Sequence, residues 1–158
     1  MKRIKLTQGR YAIVDDGDYE WLSQFQWYFH QGYARRDVKN SKTGKTKTVF
    51  LHRVVNNTPD GMDTDHINQN KLDNRKENLR SCTMSQNLSN RTKQKNNTSG
   101  YKGVTWHKLG GKWQAQIRIK SKFKYLGYFS NIHDAVQAYN IAAQDKFGEF
   151  AFINKVSH

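Results

Sequence analysis

The clearest pattern of apolar and polar positions lies in the last third of the chain. Residues 113–120 read Trp-Gln-Ala-Gln-Ile-Arg-Ile-Lys, so apolar side chains alternate with polar or basic ones. A period of two predicts a β-strand with one apolar face and one polar, basic face. Residues 101–107 precede it across a turn at Gly110-Gly111, and residues 122–127 follow it. Together they predict three antiparallel strands.

A helix is predicted to follow these strands. Asn131 is a suitable N-cap, and Asp134 lies in the first turn, where the helix dipole favours a carboxylate. An apolar stripe follows at helical spacing, and Phe147-Gly148 ends it. The stripe consists of Ala135, Val136, Tyr139, Ala142 and Ala143. The predicted structure of this half is a three-stranded antiparallel sheet packed on one helix, with the basic sheet face left open.

The first fifty residues have a weaker pattern, typical of a scaffold. Residues 11–14 have strand composition, and Asp18 is a candidate cap for a short helix carrying Leu22.

A basic hairpin is predicted next. Strand-like segments at 32–36 and 47–51 flank turn residues at 40–44. Its basic residues, which include Arg35 and Arg36, suit either contact with a phosphate backbone or a charged edge that prevents aggregation.

The centre of the chain is polar. Residues 65–74 read Asp-His-Ile-Asn-Gln-Asn-Lys-Leu-Asp-Asn, which is rich in Asn and has no apolar run. A carboxylate such as Asp65 binds a hard cation such as Mg²⁺, and an imidazole such as that of His66 takes a proton from water near neutral pH. The alternative is a set of turns and side-chain caps without a metal.

Strand, loop, strand and helix are predicted in that order over residues 61–90. Thr83 and Gln86 match a capping box, so the helix should begin at Thr83 and carry Asn87 on its first turn. This arrangement would bring Asp65, His66 and Asn87 together around one cation.

His52 lies between apolar residues, and such a histidine is more typical of a packed core than of a ligand.

Charge points to a polyanionic partner. The chain has 27 Lys and Arg against 13 Asp and Glu, a net charge of +14. A basic surface that only contacts solvent is the alternative.

Residues 1–92 and 100–154 are predicted to form two basic domains joined by a polar, basic linker at 93–99.

The lack of long apolar segments and of further cysteines limits the kinds of protein that this chain can be. No stretch has the roughly 20 apolar residues needed to span a membrane, and the N-terminus lacks the apolar core of a signal peptide, so a cytoplasmic protein is expected. Cys82 is the only cysteine, which excludes an internal disulfide and a multi-cysteine zinc site.

The stretch 65–74, followed by Glu77-Asn78-Leu79-Arg80, Thr83 and Asn87, resembles HNH endonucleases, specifically the H-N-N variant of phage and intron homing enzymes. The resemblance covers about residues 50–92 and implies a ββα-metal fold. It implies that His66 is the general base, that Asp65 and Asn87 bind the metal, and that Asn78 holds the loop and orients His66. A carboxylate and an amide oxygen suit Mg²⁺ or Mn²⁺ better than Zn²⁺.

The same resemblance implies a chemistry. His66 would deprotonate a water that attacks a backbone phosphorus, and the metal would neutralise the charge on the departing oxygen. The products would carry 5′-phosphate and 3′-hydroxyl ends. The candidate phosphate contacts in this half are Arg75, Lys76, Arg80 and Arg91.

Residues 100–154 resemble the AP-two/ethylene-response-factor DNA-binding domain of plants. The resemblance rests on Tyr101–Val104, Gly111–Arg118, Leu126–Phe129 and the Ala135–Ala143 stripe. It implies that the open sheet face enters the major groove of DNA. Core packing is the alternative role for Trp113. The implied DNA-facing residues are Thr105, His107, Trp113, Gln116, Arg118 and Tyr125, and Lys120 extends the same basic face.

These features predict an α+β protein that combines an HNH nuclease with a DNA-binding domain. The predicted function is site-specific, homing-type cleavage of double-stranded DNA with one metal ion, by a monomer or weak dimer, in the host cytoplasm if a phage encodes it. The alternatives are a DNA-binding regulator and an accessory nicking factor that depends on a partner protein.

Overall fold

The computed structural model describes residues 1–156 and divides the chain into two compact units, one spanning Met1–Asn87 and the other beginning at Leu88. Helices and antiparallel sheets occur in both units, as expected of an α+β protein. No helix in residues 1–156 combines the length and the apolar character that crossing a membrane requires.

Three small sheets and three helices build the first unit. The bounds, in chain order, are β1 (Lys2–Lys5), β2 (Tyr11–Val14), α1 (Asp16–Ser23), β3 (Tyr28–His30), β4 (Tyr33–Lys39), β5 (Thr46–Phe50), α2 (Leu51–Val55), β6 (Asp63–His66), β7 (Leu79–Cys82) and α3 (Met84–Asn90), whose last turn passes into the second unit. Strands β1–β2, β3–β4–β5 and β6–β7 form the three antiparallel sheets.

The core of the first unit lies between these sheets and α1. Its buried members include Val14, Leu22, Trp27, Leu51 and Leu79, one from each of several elements. The strand β2 also contacts the polar loop between β6 and β7: the N–H of Ile13 donates to the carbonyl of Leu72 (2.7 Å), and the N–H of Asn74 donates to the carbonyl of Ile13 (2.8 Å). The N-terminal strands therefore support the loop that follows His66.

The predicted cap of α1 was wrong. The helix begins at Asp16 after Asp15, and Asp18 lies within it. The Asp18 carboxylate accepts hydrogen bonds from Trp21 Nε1 (3.3 Å) and from Lys76 Nζ (2.9 Å). A nearly buried carboxylate is better satisfied by a distant cation than by the helix N-terminus alone.

The predicted capping box at the start of α3 is confirmed. The N–H of Thr83 donates to Gln86 Oε1 (2.8 Å), and the N–H of Gln86 donates to Thr83 Oγ1 (3.3 Å). This reciprocal pair fixes where the helix starts, and it places Asn87 on the side of the helix that contacts β6.

The second unit is a three-stranded antiparallel sheet against one helix. Its elements are β8 (Val104–His107), β9 (Lys112–Ile119), β10 (Lys122–Phe129) and α4 (Ile132–Phe147), with β9 in the middle of the sheet. The predicted cap is confirmed, since the N–H of His133 donates to Asn131 Oδ1 (2.8 Å).

The predicted alternation along 113–120 is confirmed at the core. Ala115 and Ile117 are buried with Val136 and Tyr139 of α4. Gly103 lies beneath this contact with φ +76°, and a Cβ there would fall 2.1 Å from the Tyr139 ring. Only glycine allows both that backbone conformation and that approach.

Candidate active site

Asparagine side chains hold the loop between β6 and β7 in shape. Asn78 lies at its end, where its Oδ1 accepts a hydrogen bond from the backbone N–H of Asn68 (2.9 Å) and its Nδ2 donates to the carbonyl of Asp73 (2.7 Å). Asn68 also donates to the Asp73 carboxylate (2.8 Å) and accepts from the N–H of Asn70 (2.8 Å). The Asn-rich run therefore builds side-chain-capped turns, and these turns fix the chain beyond His66.

His66 is the last residue of β6 and is 5% exposed. Its Nε2 lies 3.4 Å from Oδ1 of Asn74, which is completely buried. For Nε2 to donate to this oxygen, the ring proton must lie on Nε2 and the lone pair on Nδ1. Burial lowers the pKa of His66 below its usual value of 6.5, although the Asn74 contact opposes that effect. The ring is thus neutral near pH 7, as a general base must be.

Aromatic rings enclose His66 on one side. The His52 ring, carried by α2, meets the His66 ring edge to face at 5.2 Å between centroids, and the Tyr33 ring lies 6.2 Å away. Burial lowers the pKa of His52 to about 3, and His66 contributes to that shift. Within residues 1–156 the buried Nδ1 of His52 has no hydrogen-bond partner. His52 is buried, as its apolar neighbours indicated, but sequence reasoning did not place it against His66.

Asp65 is held by an arginine on the neighbouring strand. Asp65 pairs with Arg80 across β6 and β7, and its Oδ2 accepts hydrogen bonds from Arg80 Nε (2.9 Å) and Nη2 (2.7 Å). Both side chains are largely buried. The structure therefore places Arg80 as the partner of the Asp65 carboxylate, whereas sequence reasoning assigned it to an open, DNA-facing position.

Asn87 approaches β6 from α3. Its Nδ2 lies 3.3 Å from Oδ2 of Asp63. Asp63 and Asp65 are two residues apart on one strand and share a face, so two carboxylates and one amide occur along the same side of β6. Sequence reasoning missed Asp63, although its spacing from Asp65 was the available signal.

These donors suit a hard cation. Asp63, Asp65 and Asn87 offer only oxygen ligands, which Mg²⁺ and Mn²⁺ prefer. Across residues 1–156 no three His, Cys, Asp or Glu side chains cluster as a metal-binding group. Cys82 is buried nearby as a thiol, because burial raises its pKa to about 11.

Arg75 and Arg91 are two other predicted cations of this half, and of these two only the Arg75 guanidinium has acidic partners within residues 1–156. Arg75 makes two hydrogen bonds to the Asp73 carboxylate (2.8 and 2.7 Å) and also pairs with Glu77. Arg91 follows α3 and is exposed, and its carbonyl accepts a hydrogen bond from Lys102 Nζ (2.7 Å). Arg75 therefore stabilises the loop, and its predicted contact with phosphate competes with two carboxylates.

Arg35 and Arg36 lie on opposite faces of β4 because they are adjacent in a strand. The Arg35 guanidinium lies over the Tyr28 ring at 5.3 Å, and the Arg36 guanidinium lies over the Phe25 ring at 3.6 Å. Neither arginine forms an ion pair with a carboxylate within residues 1–156. Both remain candidates for contact with a polyanion, one on each side of the sheet.

The open sheet face of the second unit carries polar and aromatic side chains. Gln116 and Tyr125 are paired across β9 and β10, and exposed Arg118 lies over the Phe123 ring at 5.6 Å. Tyr128, which sequence reasoning missed, lies 5.1 Å from the Tyr125 ring. Exposed aromatic rings beside an arginine are typical of nucleic-acid-binding surfaces.

Two predicted residues of this face lie elsewhere. Trp113 is half-buried, packs against the core cluster and meets Trp106 edge to face at 5.0 Å, so the structure favours the packing alternative for it. Lys120 lies in the turn between β9 and β10 with φ +45°. The sequence alternation extended the strand one residue too far, because a tight turn needs residues with positive φ.

Comparison with known proteins identifies the region around His66. The HNH endonuclease family model matches residues 49–89. An uncharacterized HNH endonuclease of Acanthamoeba polyphaga mimivirus is 27% identical over 150 residues, which are 94% of this chain and 77% of that protein. Protein 3.8 of Escherichia phage T7 is 36% identical over 64 residues, 40% of this chain and 53% of that protein. No solved structure matches the chain significantly.

The matched residues run from the end of β5 to α3 and include His52, His66, Asn78 and Asn87. The resemblance to HNH endonucleases is thereby confirmed for this segment, while the homing type and the likeness to the plant DNA-binding domain stay predictions. The chain contains an HNH endonuclease domain within residues 49–89.

Proposed function

We propose that this protein is a metal-dependent endonuclease that hydrolyses phosphodiester bonds of double-stranded DNA. The observation that carries the proposal is a buried, neutral His66 at the end of β6, next to Asp65 and within an HNH endonuclease domain. A neutral imidazole beside oxygen ligands for a hard cation is the combination that water activation at a phosphate requires. The net charge of +14 supports a polyanionic substrate.

His66 is the general base in this mechanism. In it, Nε2–H donates a hydrogen bond to Asn74 Oδ1, and Nδ1 takes the proton of the attacking water. Asn78 keeps the loop closed behind His66 through its bonds to Asn68 and Asp73. A base fixed in one orientation and one tautomer avoids the reorganisation that a mobile side chain would need in the transition state.

Asp65 and Asn87 would hold the metal ion, and Asp63 is a third oxygen donor beside Asn87. When bound, Mg²⁺ or Mn²⁺ would supply positive charge that stabilises the pentacoordinate phosphate and the departing 3′ oxygen. Arg80 orients the Asp65 carboxylate through two hydrogen bonds. Attack on phosphorus with departure of the 3′ oxygen leaves 5′-phosphate and 3′-hydroxyl ends.

The second unit would bind the DNA and direct cleavage to a site. Gln116, Arg118 and Tyr125 on its open sheet face are the proposed contacts, and Arg35 and Arg36 add contacts from the first unit. One active site per chain nicks one strand, so a monomer or weak dimer acting as a site-specific, homing-type enzyme is the proposed form.

A plasmid-nicking assay tests the function. Purified protein with Mg²⁺ or Mn²⁺ should convert supercoiled plasmid to the open circle, and EDTA should abolish the conversion. His66→Ala should lose at least about 100-fold in rate, the usual contribution of a general base, and should still bind plasmid. A protein that binds DNA but cuts with neither cation would be a DNA-binding regulator instead, and activity restored by a phage extract would indicate the partner-dependent nicking factor.

A further inference from the structure

One lysine at the rim of the His66 site is held in place without an ionic partner. Lys71 lies in the loop between β6 and β7, and its side chain is exposed. Its Nζ lies 4.2 Å from the centroid of the Tyr33 ring. The same Tyr33 ring lies 6.2 Å from His66 and 5.2 Å from His52. The ammonium group therefore stands on the outer side of the aromatic ring that encloses the proposed base.

The stem of Lys71 is confined as well. A Cβ added at Gly32, where φ is +90°, would lie 3.2 Å from Cδ of Lys71. Because Gly32 has no side chain, the methylene groups of Lys71 pass close to its backbone while Nζ rests on the next residue, Tyr33. Gly32, in the β3–β4 turn, and Tyr33, at the start of β4, thus restrain a lysine that lies in the loop between β6 and β7. Restraint of this kind reduces the conformational entropy lost when the ammonium binds an anion.

The neighbouring cations of the same segment are neutralised. Arg75 pairs with Asp73, Lys76 with Asp18, and Arg80 with Asp65. Within residues 1–156 Lys71 has no carboxylate at ion-pair distance, and its Nζ lies over the Tyr33 ring.

The positive charge of Lys71 affects the pKa values of both His66 and His52. Burial is the main reason that the pKa values of His66 and His52 are lowered, and Lys71 adds to the effect at both rings. The positive charge of Lys71 therefore acts on the region in which His66 would activate the water.

We propose that Lys71 binds the phosphate group that is cleaved, contacting a non-bridging oxygen while His66 activates the water. This assignment rests on the proposed nuclease function. The attacked phosphate gains negative charge as the fifth oxygen approaches, and a preorganised ammonium group stabilises that charge more than it stabilises the ground state. Lys71 is then a catalytic residue in contact with substrate, and Tyr33 is its positioning residue.

The test compares three variants of the full-length chain. Lys71→Gln removes the charge and keeps a polar side chain that is one atom shorter, and Lys71→Arg keeps the charge. Lys76→Gln is the matched control, because it removes one positive charge from the same loop at a side chain that is already paired with Asp18. Nicking is measured under saturating protein with Mg²⁺, and DNA affinity is measured separately in EDTA across a series of salt concentrations.

Lys71→Gln should lower the rate of nicking at saturation by about 100-fold, the size of effect that follows removal of one transition-state donor. Lys71→Arg should recover much of that loss. In EDTA, the slope of log affinity against log salt should fall by about one for Lys71→Gln, as expected when one phosphate contact is lost. Lys76→Gln should leave both quantities close to those of the wild type.

The outcomes separate this proposal from the nuclease function. If the wild type cuts, His66→Ala does not, and Lys71→Gln matches the wild type in rate and salt slope, the role of Lys71 is refuted while the nuclease function stands. If Lys71→Gln and Lys76→Gln lose activity equally and both melt at lower temperature, Lys71 is structural and the proposal fails. If the wild type never cuts DNA, the nuclease function itself fails.

Discussion

Replacing Asn74 with Asp tests the proposed base directly. The two side chains have the same shape, but Asn74→Asp would put a negative charge where the amide Oδ1 now lies 3.4 Å from His66 Nε2. At an effective dielectric constant of about 20, two unit charges at that distance attract by about 5 kcal/mol. Desolvation of a carboxylate at this completely buried position opposes the attraction. The net effect should be the one to three pH units typical of an opposite charge at close range.

The direction of the pH effect follows from the protonation of His66. In the wild type, burial lowers the pKa of His66, so the neutral base persists on the acid side of 6.5 and activity is lost only when pH falls through that lowered pKa. A carboxylate at residue 74 stabilises the imidazolium and raises the pKa. The acid limb of the kcat/KM profile should therefore move up by about one to three pH units. At a pH on the acid limb of the wild-type profile, kcat/KM of Asn74→Asp should be at least about tenfold below that of the wild type. The difference should disappear at higher pH.

The control is Asn70→Asp, an identical chemical change in the same loop at an exposed side chain that accepts a hydrogen bond from the N–H of Leu72. Solvent screens its charge, so its profile should overlay that of the wild type. Histidine ¹⁵N NMR should report the Nε2–H tautomer of His66 in the wild type. If Asn74→Asp folds but its pH profile does not move, either His66 is not the base or Asn74 does not contact it.

Three further changes probe other parts of the structure. Asp65→Ala strands the largely buried Arg80 guanidinium and should lower the free energy of unfolding in urea by about 3 kcal/mol; an unchanged midpoint would contradict the observed ion pair. Gly103→Ala places a methyl group against the Tyr139 ring and puts an alanine at φ +76°. It should lower the free energy of unfolding of the second unit by about 3 kcal/mol or more, as measured by urea titration followed by tryptophan fluorescence. Arg118→Gln should weaken DNA binding and reduce the salt slope by about one, and an unaltered slope would remove the open sheet face from the proposed interface.

The second unit was largely predictable because its pattern is local. The alternation along 113–119 and the apolar stripe of α4 are each contained in one element, and each element buries its apolar face against the other. The prediction failed at Lys120, where alternation continues in the sequence but the chain turns with positive φ. Periodicity records which side chains share a face, and it does not record where a strand ends.

The first unit was less predictable because its contacts join distant segments. The side chain of Asp18 was predicted to cap a helix and instead binds Lys76, which is far away in sequence. The strand β2 supplies backbone hydrogen bonds to the loop at Leu72 and Asn74. No local signal in residues 11–14 indicates that they support a polar loop near residue 70, since such pairing depends on the tertiary structure.

The candidate site likewise contains some residues that the sequence indicated and others that it did not. Asp65, His66, Asn78 and Asn87 were nominated from a motif whose spacing is compact. Asn74 and His52 were not, because one looks like any other Asn in a polar run and the other looks like a core residue between apolar neighbours. Their proximity to His66 at 3.4 Å and 5.2 Å results from loop closure and from the packing of α2.

The carboxylates near His66 separate the cations there into those with an acidic partner and those without one. A net charge of +14 predicts a polyanionic partner, but it does not say which cations are available to it. Each acidic side chain in the loop neutralises a particular neighbour, and Arg75 and Arg80 are used in this way. A lysine with no acid within reach is left to bind an external anion, and Lys71 meets that condition at the rim of the His66 site. The positions of the carboxylates are thus the reason for proposing Lys71, and not Arg75 or Arg80, as the contact with phosphate.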